Sequence, residues 1–292
     1  MTHVIPGTRD DLSECIDLEA DHPFFGSTAE ADRFVDDAVL PNVAWGRDPL
    51  RVADFGGGQG LLADRCARAL RARGAVVRAG VVDANPTFAA FARARGLDVA
   101  ESDIGCYEGE PVDIALMRLV LHYNPASAQR TILTNVCRHV SDDGLLVLQF
   151  ETGDTAACEL RNRIAALCAE WTGGGARFWA NHLMMSDWLR DAGFGEVREV
   201  AETSCESDVV ALVRNAWRRQ RSALSEAGVS EHAFYRACTE IIFAFRRAGD
   251  STALYDKEGR LTLKTSYPIV CATKAPPQSA RVSSAASGGA CA

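Results

Sequence analysis

Val52-Ala53-Asp54-Phe55-Gly56-Gly57-Gly58-Gln59-Gly60 places four glycines in five positions directly behind a short apolar run. Residues 51–55 read as a strand and 61–73 as a helix closed by Gly74, so the glycines sit in a strand-to-helix turn. Glycine at 56, 58 and 60 removes side chains where the backbone must turn tightly and approach a ligand. The following helix aims its first N–H groups at that ligand. Asp54, at the strand end, either fixes the loop or accepts hydrogen bonds from a ligand amine. A turn that holds nothing would carry an entropic penalty for so many glycines. A dinucleotide loop also fits, because Gly58, Gly60 and Ala63 give Gly-x-Gly-x-x-Ala with Asp83 downstream.

Working outward, strands and helices alternate. Strands are expected at 76–82, 98–100, 112–117 and 145–150, and helices at 31–39, 87–95, 126–140 and 156–171. The run 145–150 shows no polar alternation until Gln149, as for a strand buried on both faces. A helix at 186–192 then leads through Gly193-Phe194-Gly195 into a strand near 197–200. Two amphipathic helical stretches follow within 208–247, separated near Gly228, and 266–272 is the last strand. Such alternation implies right-handed crossovers and a doubly wound, mostly parallel α/β sheet.

The motifs arrive in an order that resembles the class I S-adenosylmethionine-dependent methyltransferases. Asp-x-Gly-x-Gly-x-Gly at 54–60 is similar to that family's first motif. The resemblance implies that Asp83, ending the second strand, binds both ribose hydroxyls and that Ala84 lies against adenine. It likewise implies that Asp103, beside Ile104, accepts from the adenine amino group. Residues 111–118, ending at Arg118, resemble the fourth-strand motif, and Leu189-Arg190-Asp191-Ala192-Gly193-Phe194 resembles the segment before the sixth strand. The likeness covers roughly 50–200. It implies a seven-stranded Rossmann-like methyltransferase fold with an added helical cap, and S-adenosylmethionine held by Asp54, Gly56, Gly58, Gly60, Asp83, Ala84, Asp103, Ile104 and Arg118. The organisation expected is an N-terminal helical arm or lid (1–46), a core (47–202), a helical insertion (203–262), a final core strand (263–274) and a disordered tail (275–292).

Methyl transfer chiefly requires alignment of nucleophile, methyl and sulfur, and a hydroxyl nucleophile gains from a base. Val120-Leu121-His122-Tyr123 resembles the segment that carries this base in the family's O-methyltransferases, although Tyr123-Asn124-Pro125 departs from the usual residues. His122 reads either as the base or as a capping and packing residue. Trp179, His182 and Met185 belong to an aromatic, Met-rich stretch behind Gly173-Gly174-Gly175 that suits an adaptable pocket wall, with core packing the alternative. The acceptor expected is a hydroxyl on a small, aromatic or polyketide-like secondary metabolite. Nitrogen or carbon methylation, an NAD-dependent oxidoreductase and a non-catalytic cofactor binder are the competing readings.

Composition bounds the rest. The 292 residues are 47% hydrophobic and 24% charged, which is ordinary for a globular protein. A net charge of −8 disfavours nucleic acid as a partner, while Arg214, Arg218, Arg219 and Arg221 form one local basic cluster on a helix. No apolar run approaches the roughly 20 residues of a membrane span, and no leader pattern opens the chain, so a cytoplasmic placement is expected. The ten cysteines include no Cys-x-x-Cys pair and read as reduced, mostly buried thiols. No metal is expected, and the insertion either completes a substrate pocket or packs with a second subunit, as a homodimer, through faces such as Trp217 and Phe245.

Overall fold

The computed structural model describes residues 28–247, 254–258 and 260–274. The aromatic pair Phe24-Phe25 of the expected lid and the tail 275–292 lie outside them.

Five strands are parallel: β1 (Leu50–Phe55), β2 (Val77–Val82), β3 (Asp98–Ala100), β4 (Val112–Arg118) and β5 (Val140–Gln149). β6 (Phe194–Asp208) and β7 (Leu254–Lys257) pair antiparallel with β8 (Arg260–Lys274), which also pairs antiparallel with β5. The sheet runs β3-β2-β1-β4-β5-β8-β6, with β7 added to β8. The seven-stranded, mostly parallel expectation therefore holds, and a short eighth strand extends it. Because β2 and β4 flank β1 on opposite sides, a crevice opens where the chain switches direction at their carboxyl ends.

The helices are α1 (Thr28–Phe34), which runs into a π-helical turn at Val35–Val39, then α2 (Leu61–Ala72), α3 (Pro86–Ala94) and α4 (Ala126–His139). They continue with α5 (Thr155–Thr172), α6 (His182–Asp191), α7 (Val209–Glu226) and α8 (Glu231–Arg247). Local chemistry sets their ends. Asn85 accepts from the Thr87 N–H at 2.9 Å, with Pro86 supplying a preset φ to start α3. Asp154 accepts from the Ala157 N–H at 2.7 Å to start α5, and Gly173 closes that helix in the left-handed conformation.

Successive strand residues face opposite sides, so continuous apolar runs feed two core layers. Ile114, Leu116, Leu145 and Val147 pack with Phe34, Cys66 and Leu70 on one face. Ala115, Met117, Leu146 and Leu148 pack with Leu133, Val136, Trp188 and Leu189 on the other. A separate cluster joins α5, α7 and α8 through Leu160, Ile164, Trp217, Phe234 and Phe245, so Trp217 and Phe245 are buried within the chain rather than open to a second subunit.

Four elements differ in extent from expectation. β5 starts at Val140 rather than 145, its polar Ser141-Asp142-Asp143 portion lying beyond a register shift against β4. α6 starts at His182 rather than 186, because Asn181 accepts from the Met184 N–H at 2.9 Å. β6 and β8 are far longer than the cores at 197–200 and 266–272, and continue as a ribbon out to the pair Asp208–Thr262. The β6 side of that extension is half-exposed and polar, with Glu202, Ser204 and Glu206, whereas β8 is buried at Thr262, Leu263, Thr265 and Ser266 and also pairs with β7. Among the described residues, no helix is long and apolar enough to cross a membrane.

Candidate active site

The glycine turn sits at the crevice. Gly56, Gly58 and Gly60 have φ of 73°, 52° and 77°, the left-handed region that glycine enters without strain. Gly57 is required for a different reason: a Cβ there would stand 2.5 Å from the carboxyl carbon of Asp54. Asp54 is buried beneath the loop and accepts from the backbone N–H of Ala63 in the first turn of α2. Of its two expected uses, the structure thus displays the bracing of the loop. Burial pushes its carboxyl up to about 7, opposed by the nearby Arg118 guanidinium and reinforced by Asp83. Arg118, ending β4, is held below its ordinary basicity by burial, with Asp54 and Glu30 acting against that shift.

Asp83 receives the Gly58 N–H on one carboxylate oxygen and the Asn85 N–H on the other, both at 2.9 Å. Its acidity is weakened by burial and partly restored by those two donors. Ala84 is exposed beside it. Asp103 is exposed and caps the short 3-10 turn Ile104–Cys106, accepting from the Gly105 N–H at 2.7 Å. Ile104 is buried, and its Cδ1 lies 3.2 Å from where a Gly56 Cβ would be. The residues expected around a cofactor are therefore brought together.

A second centre adjoins this one. Leu119, just past β4, is in the left-handed region at φ 55°, a strained choice for a branched side chain, and donates its N–H to the Gln149 carbonyl at 2.8 Å. The chain then turns so that Val120 covers Gly56, its Cγ2 standing 2.5 Å from a hypothetical Cβ there. Two residues later His122 lies buried in the 3-10 turn Leu121–Tyr123. Its Nε2 is 3.5 Å from a carboxylate oxygen of Glu151, and the other oxygen of Glu151 is 2.9 Å from the Arg161 guanidinium. Arg161 also donates to the Thr265 hydroxyl. The imidazole lies between Tyr123, at 4.2 Å between ring centres, and Trp179, stacked at 5.9 Å. Tyr267 is buried nearby, its phenol made less acidic by that burial and by Glu151.

Trp179 packs beside His122 and is buried. Met185 is instead a core residue, because α6 turns its Met185-Trp188-Leu189 stripe onto the sheet. His182 opens α6, half-exposed, with Nδ1 3.4 Å from Glu199 of β6 and its ring edge-on to Phe150. The sequence reading missed Glu151 and Arg161. Both left a signal: Glu151 follows an apolar strand by two residues, and Arg161 interrupts the buried stripe Ala157, Ile164 and Cys168 of α5. A charge on an apolar stripe calls for a buried partner.

Of the cysteines in described residues, all are free, and Cys66, Cys137, Cys158, Cys168 and Cys238 are buried in helices. Among the described residues no three His, Cys, Asp or Glu side chains group as metal ligands.

No protein-family model matches this chain, and no curated protein matches it. Among solved structures it is similar to the YcgJ protein from Bacillus subtilis, at TM-score 0.56 and 13% identity over 84% of this chain and 99% of that one. It is also similar to a candidate methyltransferase, BH2331, from Bacillus halodurans C-125, at TM-score 0.53 and 15% identity over 85% of this chain and 100% of that one. These likenesses define the class: the chain has the Rossmann-like methyltransferase fold.

Proposed function

We propose that this chain is a methyltransferase that uses S-adenosylmethionine and methylates a hydroxyl on a small-molecule, secondary-metabolite acceptor, with His122 as the base. The observation that carries the reading is the packing of Val120 on Gly56, which ties the segment bearing His122 to the glycine loop.

The residues fit the cofactor. Asp83 keeps lone pairs available for two ribose hydroxyls, because each of its oxygens accepts only one backbone N–H. The Asn85 amide nitrogen is buried beside it without a hydrogen-bond partner, a donor placed for a ligand acceptor. Arg118 offers a cation for the carboxylate of the methionine portion, and among the described residues the exposed Asp103 carboxylate has no cation within ion-pair distance. Bound there, the cofactor supplies an electrophilic methyl on a sulfonium.

The chain's own work is orientation and proton removal. A neutral imidazole that turns its Nε2–H toward Glu151, 3.5 Å away, carries its lone pair on Nδ1, the form that accepts a hydroxyl proton. The imidazolium formed is then stabilised by the Glu151 carboxylate, which Arg161 holds in place. Burial among Tyr123 and Trp179 excludes water from the transferring group.

Calorimetry with S-adenosylmethionine, its demethylated product and NAD tests the cofactor, and binding of NAD alone overturns the reading. Labelled-methyl transfer to panels of phenols and amines tests the acceptor. His122→Ala is expected to lower kcat by about two orders of magnitude with unchanged cofactor affinity. An undiminished rate removes His122 from the mechanism.

A further inference from the structure

Resting on that methyltransferase reading, we propose that Arg161 is a positioning residue that keeps the His122 imidazole neutral while a cationic methyl donor is bound. It does so by sharing the Glu151 carboxylate with the imidazole, so that a proton on His122 and a sulfonium in the crevice exclude one another.

Glu151 is one buried carboxylate set between two partners. Its Oε1 is 2.9 Å from the Arg161 guanidinium, and its Oε2 is 3.5 Å from His122 Nε2. Arg161 is 4% exposed and His122 6%, so salt and water screen the pair weakly. From the other side the guanidinium is fastened by the hydroxyl of Thr265, itself fully buried in β8. With a neutral imidazole, the cluster holds one cation and one anion. Protonating His122 adds a second cation to a carboxylate already balanced by the first. Arginine does not give up its charge in proteins, so Arg161 is a permanent rival of the imidazolium.

The groups packed around this cluster are accounted for in turn. Tyr123 flanks the imidazole from its own turn, with the Arg177 guanidinium carbon 4.7 Å from the phenol ring, and Trp179 carries no charge. Tyr267 of β8 lies near Glu151 and Cys158 of α5 near Arg161, and burial makes both weaker acids. On the cofactor side stand Arg118, Asp83 and Asp54. Burial pushes the Asp54 carboxyl up to about 7, so it also takes up a proton as the solution turns acid.

Charge is conserved through the proposed reaction. The acceptor loses its O–H bond and gains an O–C bond, while the S–C bond breaks and sulfur keeps that electron pair. The proton passes to His122 as one positive charge disappears from sulfur. His122 therefore ends each turnover as the imidazolium. Only the methyl and one oxygen separate imidazole from sulfur in the aligned arrangement, so imidazolium and a fresh sulfonium repel. The proton must pass to water first, and Arg161 makes the imidazolium the costlier form.

The test is calorimetric titration of S-adenosylmethionine and of S-adenosylhomocysteine, which differ by the methyl and its charge, into the full chain at pH 7.5 and pH 5.5. On acidification, wild type is expected to lose about fivefold or more affinity for the first beyond what it loses for the second. His122→Asn should cut that gap to less than half. A gap of half or more left there assigns the effect to Asp54 and overturns the proposal, as does a wild type without a gap. Arg161→Gln should bring the gap on about one pH unit higher, together with the His122 imidazole titration followed by NMR. An unmoved midpoint overturns the role of Arg161. If circular dichroism shows Arg161→Gln unfolded, Thr265→Val unfastens the guanidinium without removing it. It should move both midpoints the same way by less, and no movement overturns the proposal. Binding of both compounds without a gap refutes this proposal alone, whereas binding of neither at pH 7.5 refutes the methyltransferase reading and the proposal with it.

Discussion

The ends of β1 and β2 and the ends of β4 and β5 build the two halves of one crevice by different means. The first half is made of backbone: three glycines with positive φ, a helix start, and two aspartates whose carboxylates are tied to main-chain N–H groups. The second half is made of side chains from four separate elements, where His122, Glu151, Arg161 and Thr265 form a buried polar chain. Backbone sites constrain residue type at fixed spacing, whereas side-chain sites constrain only what meets in space. The first is therefore legible in a string and the second is not.

Glu151→Ala should give the largest effect that separates the halves. It leaves Arg161 buried without its carboxylate, so unfolding free energy is expected to fall by about 3–5 kcal/mol. Urea denaturation measures this, and a loss under 1 kcal/mol would show that the polar chain is not structural. Where the variant remains folded, its cofactor affinity should match wild type, which would confirm that the halves are energetically separable.

Asp83→Ala should act in the opposite sense, weakening S-adenosylmethionine by about 10–100-fold, the range for losing hydrogen bonds to a charged acceptor. Without cofactor the variant should also lose stability, by about 1–3 kcal/mol, because the Gly58 and Asn85 N–H groups lose their acceptor. An unaltered dissociation constant would remove Asp83 from the ribose site.

The smallest effect concerns Asp54 and pH. Its carboxyl titrates near 7 in the folded protein against 3.8 ordinarily, so folding favours the protonated form. The stabilisation is complete below pH 3.8 and is lost as pH rises through 7. Asp54→Asn should flatten this slope, leaving the cofactor-free protein on the order of a kcal/mol more stable at pH 8 than wild type. An unchanged pH profile of urea midpoints would refute the shifted titration.

The same contrast explains how far the sequence could be read. β3 spans 98–100 as expected, and α2, α4 and α5 end within two residues of their expected limits, because amphipathic period and capping residues are local signals. The polar ends of β5 and β6 escaped, since their pairing is supported by a neighbouring strand rather than by burial, and the start of β8 escaped because Thr262, Thr265 and Ser266 are polar although buried. Asp54, Asp83 and Asp103 lie at or just past the carboxyl ends of β1, β2 and β3. Glu151 and Arg161 acquire meaning only when β5 and α5 pack beside the turn after β4, and Met185 follows from which face of α6 meets the sheet.

The polar ribbon of β6 and β8 has a consequence for how such a protein diversifies. Because Asp208 faces Thr262 in register, the two ends of everything between them are already adjacent. Lengthening or replacing the α7–α8 excursion changes loop-closure entropy by only about 0.6 kcal/mol for each doubling of length. The ribbon is in effect a socket, through which a lineage or a designer can exchange the α7–α8 excursion, provided its face toward α5 is kept, without moving the glycine turn at the other side of the sheet.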